Sequence, residues 1–123
     1  MCLFCDFAAQ PERFLWENDL AFAIFDGFPI SKGHTLIITK RHIETIFEAT
    51  DAELLAIGEG LRTVKSRLDA QYHPAGYNIG NNNGAAAGQT VMHLHVHLIP
   101  RYPGDVPLPR GGVRNIVPGK TEY

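Results

Sequence analysis

The 123-residue chain is poor in the features that would assign it to several broad classes. It has only two cysteines, Cys2 and Cys5, too few for a disulfide framework. No apolar run approaches 18 residues, so no segment reads as membrane-spanning. The N-terminal stretch lacks a basic region followed by a cleavable apolar segment, so no secretion signal is read and a cytoplasmic location is expected. Charge of one sign is not in excess. Eleven Lys and Arg stand against 13 Asp and Glu, a net −2, whereas a duplex-binding domain is usually basic. Nucleic acid and membrane are therefore not expected partners. The length suits one domain, 1–123, with a proline- and glycine-rich arm over 103–123.

Strand and helix signals alternate along the chain. Phe14-Leu15-Trp16 and Leu20 to Phe25 read as a hairpin turned at Glu17-Asn18-Asp19. His34 to Thr39 is apolar and β-branched, another strand. Thr50-Asp51-Ala52-Glu53 is a capping box. Behind it Leu54, Ile57, Leu61, Val64 and Leu68 share one helical face, and Pro74 ends the helix near His73. Gly58 and Gly60 inside it cost roughly 1 kcal/mol each relative to Ala, which is either tolerated or a sign of close packing against another backbone. Gly76 to Gly80 and Val91 to Arg101 complete about five strands. Residues 1–10 read as a loop or short turn around the cysteines. The expected class is α+β, an antiparallel sheet with one long helix and a short helix or turn.

What the sequence has in excess is histidine, six in all, with His93, His95 and His97 at alternate positions. On one strand such residues share a face about 7 Å apart, opposite Leu94, Val96 and Leu98. Three cannot easily share an ion, because His93 and His97 would lie roughly 13 Å apart while Zn–N bonds are about 2 Å. An imidazole near neutrality is a nucleophile and a proton shuttle, and a row of them suits an extended phosphate substrate. Just upstream, Asn82, Gly88, Gln89 and Thr90 offer neutral donors and free backbone amides, as an oxyanion cradle would.

His93-Leu94-His95-Val96-His97-Leu98-Ile99, with its Gly88-Gln89-Thr90 lead-in, resembles the signature of the histidine triad superfamily. The likeness extends through Asn82, Asp26, Gly33 to His42 and the Cys2/Cys5 pair, over roughly residues 2–102. It implies the triad fold and a nucleotide hydrolase or nucleotidyltransferase that cleaves at the α-phosphate. The expected substrate is a purine nucleotide compound, either a dinucleoside polyphosphate or a nucleoside phosphoramidate. By position it makes His95 the nucleophile and gives His97 a phosphate contact. His93 would orient the site or protonate the leaving group, and His34 would support the triad. Asn82, Gly88, Gln89 and Thr90 would hold phosphate oxygens or the leaving group, and Asp26 the ribose. Phe4, Ile24 and Leu36 would sandwich the base, unless they are plain core. The zinc-containing branch implies a structural zinc on Cys2, Cys5, His42 and His93, and members are commonly homodimers. The alternative is a nucleotide- and zinc-binding interaction protein with little turnover.

Overall fold

The computed structural model describes residues 2–121. Met1 and the last two residues of the arm lie outside them. Five strands form one antiparallel sheet in the order β1-β2-β3-β5-β4. They are β1 (Trp16–Glu17), β2 (Ala21–Phe25), β3 (Thr35–Thr39), β4 (Gly76–Gly80) and β5 (His95–Arg101). Helix α1 is Leu3–Ala8 and α2 is Asp51–Tyr72. Among the described residues no helix is long and apolar enough to cross a membrane.

Period-2 patterning splits the sheet into two unlike faces. Ala21, Ala23, Ile37, Val96 and Leu98 pack with Ile57, Val64 and Leu68 of α2. Phe22, Ile24, Leu36 and Ile38 point the other way and pack with Phe4 of α1. β5 runs against β3 with Ile38 opposite His95 and Leu36 opposite His97. The two imidazoles therefore emerge on the α1 face, where the long helix does not cover them.

Helix α2 begins as its sequence dictates. Thr50 Oγ1 accepts from the Glu53 amide, and the Glu53 carboxylate accepts from the Thr50 amide. The helix closes on His73 in the left-handed conformation, one residue before Pro74. Of the face read from spacing, Ile57, Val64 and Leu68 are buried, but Leu54 in the first turn is 42% exposed. The two glycines differ. A Cβ on Gly58 would meet open space, whereas one on Gly60 would fall 2.6 Å from the Trp16 ring. Close packing thus explains Gly60, against a side chain rather than a backbone.

Three boundaries correct the sequence reading. The segment 1–10 contains a true helical turn, α1, whose N-cap is Cys2, with Sγ accepting from the Cys5 amide. β1 is two residues long, so Phe14 and Leu15 precede it. β5 starts at His95 rather than Val91, because the Leu94 amide donates to the Ile43 carbonyl, outside the sheet ladder. The arm is not wholly irregular. Gly112–Ile116 forms a 3-10 turn against β4.

Candidate functional site

The shift in the start of β5 separates the three histidines. His95 and His97 stand side by side on the strand, ring centroids 5.3 Å apart. His93 lies before the strand with its ring fully buried. The expected row is therefore a pair plus one residue turned inward.

Fixed main-chain groups set the proton on each ring. His95 Nδ1 lies 2.7 Å from the His93 carbonyl, which can only accept, so Nδ1 carries the proton and Nε2 the lone pair. The Ile30 amide donates to His34 Nδ1 at 3.2 Å, so neutral His34 is protonated on Nε2. That nitrogen lies 2.9 Å from His97 Nδ1 and 3.4 Å from Asp26 Oδ2. The shorter contact makes His97 Nδ1 the acceptor and leaves its own proton on Nε2. Burial lowers the pKa of His34, His93 and His97, the last to about 4, where the neighbouring His95 and His34 add to the effect. His97 is neutral at pH 7 and is a hydrogen-bond donor without carrying charge.

A cavity of about 610 Å³ opens over this face, a volume in the usual range for small-molecule sites. His95, His97, His34, Asp26, Asn82, Gly88 and Thr90 supply its polar lining. Phe4, Ile24 and Leu36 line the apolar part, although each is at most 5% exposed. They are core and cavity wall at once. Leu3, Phe7 and Arg13 also line it, with the Arg13 guanidinium 4.4 Å above the Phe7 ring. Their spacing carried no signal, because α1 was not legible as a helix. Ile30 was missed for another reason: its contribution is a backbone amide.

Two expected site residues are placed differently from the rest. Gln89 is 5% exposed and its amide is spent on the loop. Nε2 donates to the Glu44 and Val91 carbonyls, and Oε1 accepts from the Gly84 amide. Gln89 therefore shapes the turn that presents Gly88 and Thr90. Gly88 adopts φ +93°, a conformation L side chains rarely take. The His93 ring does not line the cavity, so it cannot protonate a leaving group there. What it offers His95 is its carbonyl.

The His93 ring belongs to a second constellation. Nε2 donates to the Thr39 carbonyl at 2.6 Å, so Nδ1 presents its lone pair to Cys2 Sγ at 3.2 Å and Cys5 Sγ at 3.4 Å. Cys5 Sγ lies 3.2 Å from His42 Nδ1. These four ligand atoms fall within 4.8 Å of one another. A tetrahedral zinc with Zn–S and Zn–N bonds of about 2.3 and 2.0 Å spaces its donors roughly 3.3–3.8 Å apart. The donor set, the spacing and the carbonyl behind His93 all fit zinc.

Asp26, His34 and His97 also converge within 4.8 Å. A metal on His34 Nε2 would need the proton on Nδ1, which instead faces the Ile30 N–H. This cluster is built for hydrogen bonding rather than for an ion. The Asp26 carboxylate also accepts from the Phe28 amide at 2.7 Å, which fixes the loop beside the cavity.

The HIT domain family model matches residues 8–104. The chain is 40% identical to an uncharacterized HIT-like protein of Methanocaldococcus jannaschii, over 94% of this chain and 92% of the other. It is 35% identical to an adenylylsulfatase of Arabidopsis thaliana, over 85% of this chain and 54% of that one. Among solved structures, a HIT family protein from Bacillus anthracis aligns with a TM-score of 0.78 at 37% identity, covering 85% of this chain and 75% of that one. A zinc-bound histidine triad family protein from Mycobacterium smegmatis aligns with a TM-score of 0.70 at 32% identity, over 85% and 77%. The strand order, the paired imidazoles and these likenesses agree: the chain belongs to the HIT domain family.

Proposed function

We propose that the protein is a nucleotide hydrolase or nucleotidyltransferase that cleaves a nucleotide-phosphate-X compound at its α-phosphate through a covalent nucleotidyl-His95. The observation that carries this reading is the fixed tautomer of His95: the His93 carbonyl holds Nδ1–H and leaves an unprotonated Nε2 in the cavity.

The steps follow from the groups present. The nucleoside lies with its base between Phe4, Ile24 and Leu36, and Asp26 binds the ribose hydroxyls. His95 Nε2 attacks the α-phosphorus, and the bond from phosphorus to X breaks. As the N–P bond forms, the His93 carbonyl stabilises the growing positive charge on the ring. The His97 Nε2–H, the backbone around Gly88, and the Thr90 and Asn82 side chains meet the charge on the phosphoryl oxygens. X departs as its anion or takes a proton from solvent. Water then attacks phosphorus from the side that X vacated, its proton passes to solvent, and the N–P bond breaks with its electron pair returning to Nε2. His34 acts through its neighbour. It positions His97 and fixes its tautomer.

Cys2, Cys5, His42 and His93 hold a structural zinc, which supplies cross-linking of α1 to the sheet rather than Lewis-acid chemistry. The zinc-bound Mycobacterium smegmatis neighbour supports a zinc reading, and the plant adenylylsulfatase supports a hydrolase. Two free thiols at this centre suit a reducing compartment such as the cytoplasm. The protein acts as a homodimer through the β4 edge and α2, where Ile79 and Leu55 are 49% and 77% exposed. Chromatography of reactions with adenosine phosphoramidate and dinucleoside polyphosphates tests the activity. Release of AMP from at least one of them is the expected result, and AMP bound without turnover of any would refute it.

A further inference from the structure

Helix α1 borders both the cavity and the cysteine–histidine centre. Its cap and first turn carry Cys2 and Cys5, whose sulfurs face His93 and His42. The same turn carries Leu3 and Phe4, and the next carries Phe7, all lining the cavity. Phe4 sits between the two sites. Its ring lies edge-on to His95 with centroids 4.8 Å apart and 6.1 Å from His93. A six-residue helix has no stability of its own, so its position on the sheet depends on such anchors. His93 makes the second link. Its ring faces the sulfurs while its carbonyl holds His95 Nδ1–H.

We infer that zinc at Cys2, Cys5, His42 and His93 and a nucleotide in the cavity strengthen each other's binding, through α1 and His93. This rests on both site assignments proposed above. Without the ion, the wall of Leu3, Phe4 and Phe7 is tied down only by packing and weak sulfur–imidazole contacts, and an arriving nucleotide must spend binding free energy to order it. With the ion bound that ordering is already done. Thermodynamic linkage then requires the reverse effect by the same factor: nucleotide makes zinc harder to remove. The cysteine pair thereby acts as a positioning element for the nucleotide site.

The test uses the zinc-loaded full chain and AMP. Zinc is titrated to equilibrium against a chromogenic chelator, with and without saturating AMP. AMP affinity is measured by calorimetry before and after zinc is stripped. The expected result is a gain in zinc retention of roughly five- to hundredfold with AMP, and a matching loss of AMP affinity on stripping. Coupling that merely reflected stabilisation of the whole fold would survive changes in the wall, so Phe4→Leu separates the two. With one zinc per chain and AMP saturating, its coupling factor should fall toward one. Phe7→Ala serves the same purpose if Phe4→Leu folds poorly. Equal zinc retention with and without AMP overturns the proposal, as does undiminished coupling in the wall variants. A chain that takes up no zinc refutes the metal assignment, and one that binds zinc but not AMP refutes the nucleotide assignment. Either outcome takes the coupling with it.

Discussion

His93 and His97 are the same residue at the two ends of one alternating run, yet their rings face different surroundings. His93 is fully buried before the strand, its Nε2 held by the Thr39 carbonyl and its Nδ1 turned to two sulfurs. His97 is on the strand, its Nδ1 accepting from His34 and its ring lining the cavity. In both, the partner of one nitrogen decides what the other can do. A carbonyl behind each ring leaves a lone pair facing outward on His93 and His95, which suits the proposed ligand and the proposed nucleophile. An N–H behind the ring leaves His97 with an outward N–H, which suits the proposed phosphate donor.

The largest expected effect lies between the two ends. His95→Asn should lower turnover by at least a factor of about a hundred, while AMP binding measured by calorimetry changes little. His97→Ala should weaken both AMP binding and kcat, because its N–H meets the phosphate in the ground state as well. It should keep zinc. A His97→Ala protein that lost zinc by elemental analysis in the absence of nucleotide would show that His97 itself helps hold the metal.

Next in size is the metal end. Cys5→Ser should lose most of the one zinc per chain, and a chelator should lower the Tm of the wild type by more than about 5 °C. Full zinc occupancy in Cys5→Ser would mean that the ligands are wrongly chosen.

Acid sharpens the comparison from the cavity side. The folded His97 has its pKa pushed down to about 4, from 6.5 in the unfolded chain. Between those values the unfolded state binds more protons, so stability is full above pH 6.5 and falls as pH drops toward 4. Denaturant titrations should show a loss on the order of 2 kcal/mol over that window, and less in a His97→Gln variant. Glu53, held by Arg41 down to about 2, adds a further loss only below about pH 4.5.

Much of the fold was legible because it is local. The capping box at Thr50, the alternation of Leu94, Val96 and Leu98, and the stop at Pro74 each rest on neighbours in sequence. The site was legible as a motif but not as a division of labour. Alternation cannot show that the Leu94 amide goes to Ile43, which is what removes His93 from the strand. Nor can it show that the Gln89 amide goes to Glu44, 45 residues away. Helix α1 left no periodic trace, being six residues fixed by a cysteine cap and by packing. Gly58 and Gly60 looked alike because the Trp16 ring and the Ile37 side chain that tell them apart are distant in sequence. The smallest predicted effects follow. Gly58→Ala should stabilise by up to about 1 kcal/mol and Gly60→Ala should destabilise by roughly 1–3 kcal/mol, as chemical denaturation would read.

The central claim is that the middle histidine is the one that becomes covalently modified. Rapid quenching of a reaction with adenosine phosphoramidate, followed by proteolysis and mass spectrometry at neutral to basic pH, tests it most directly. An AMP-mass adduct on His95, absent from His95→Asn, is the expected result. An adduct mapped to His93 or His97 would contradict it.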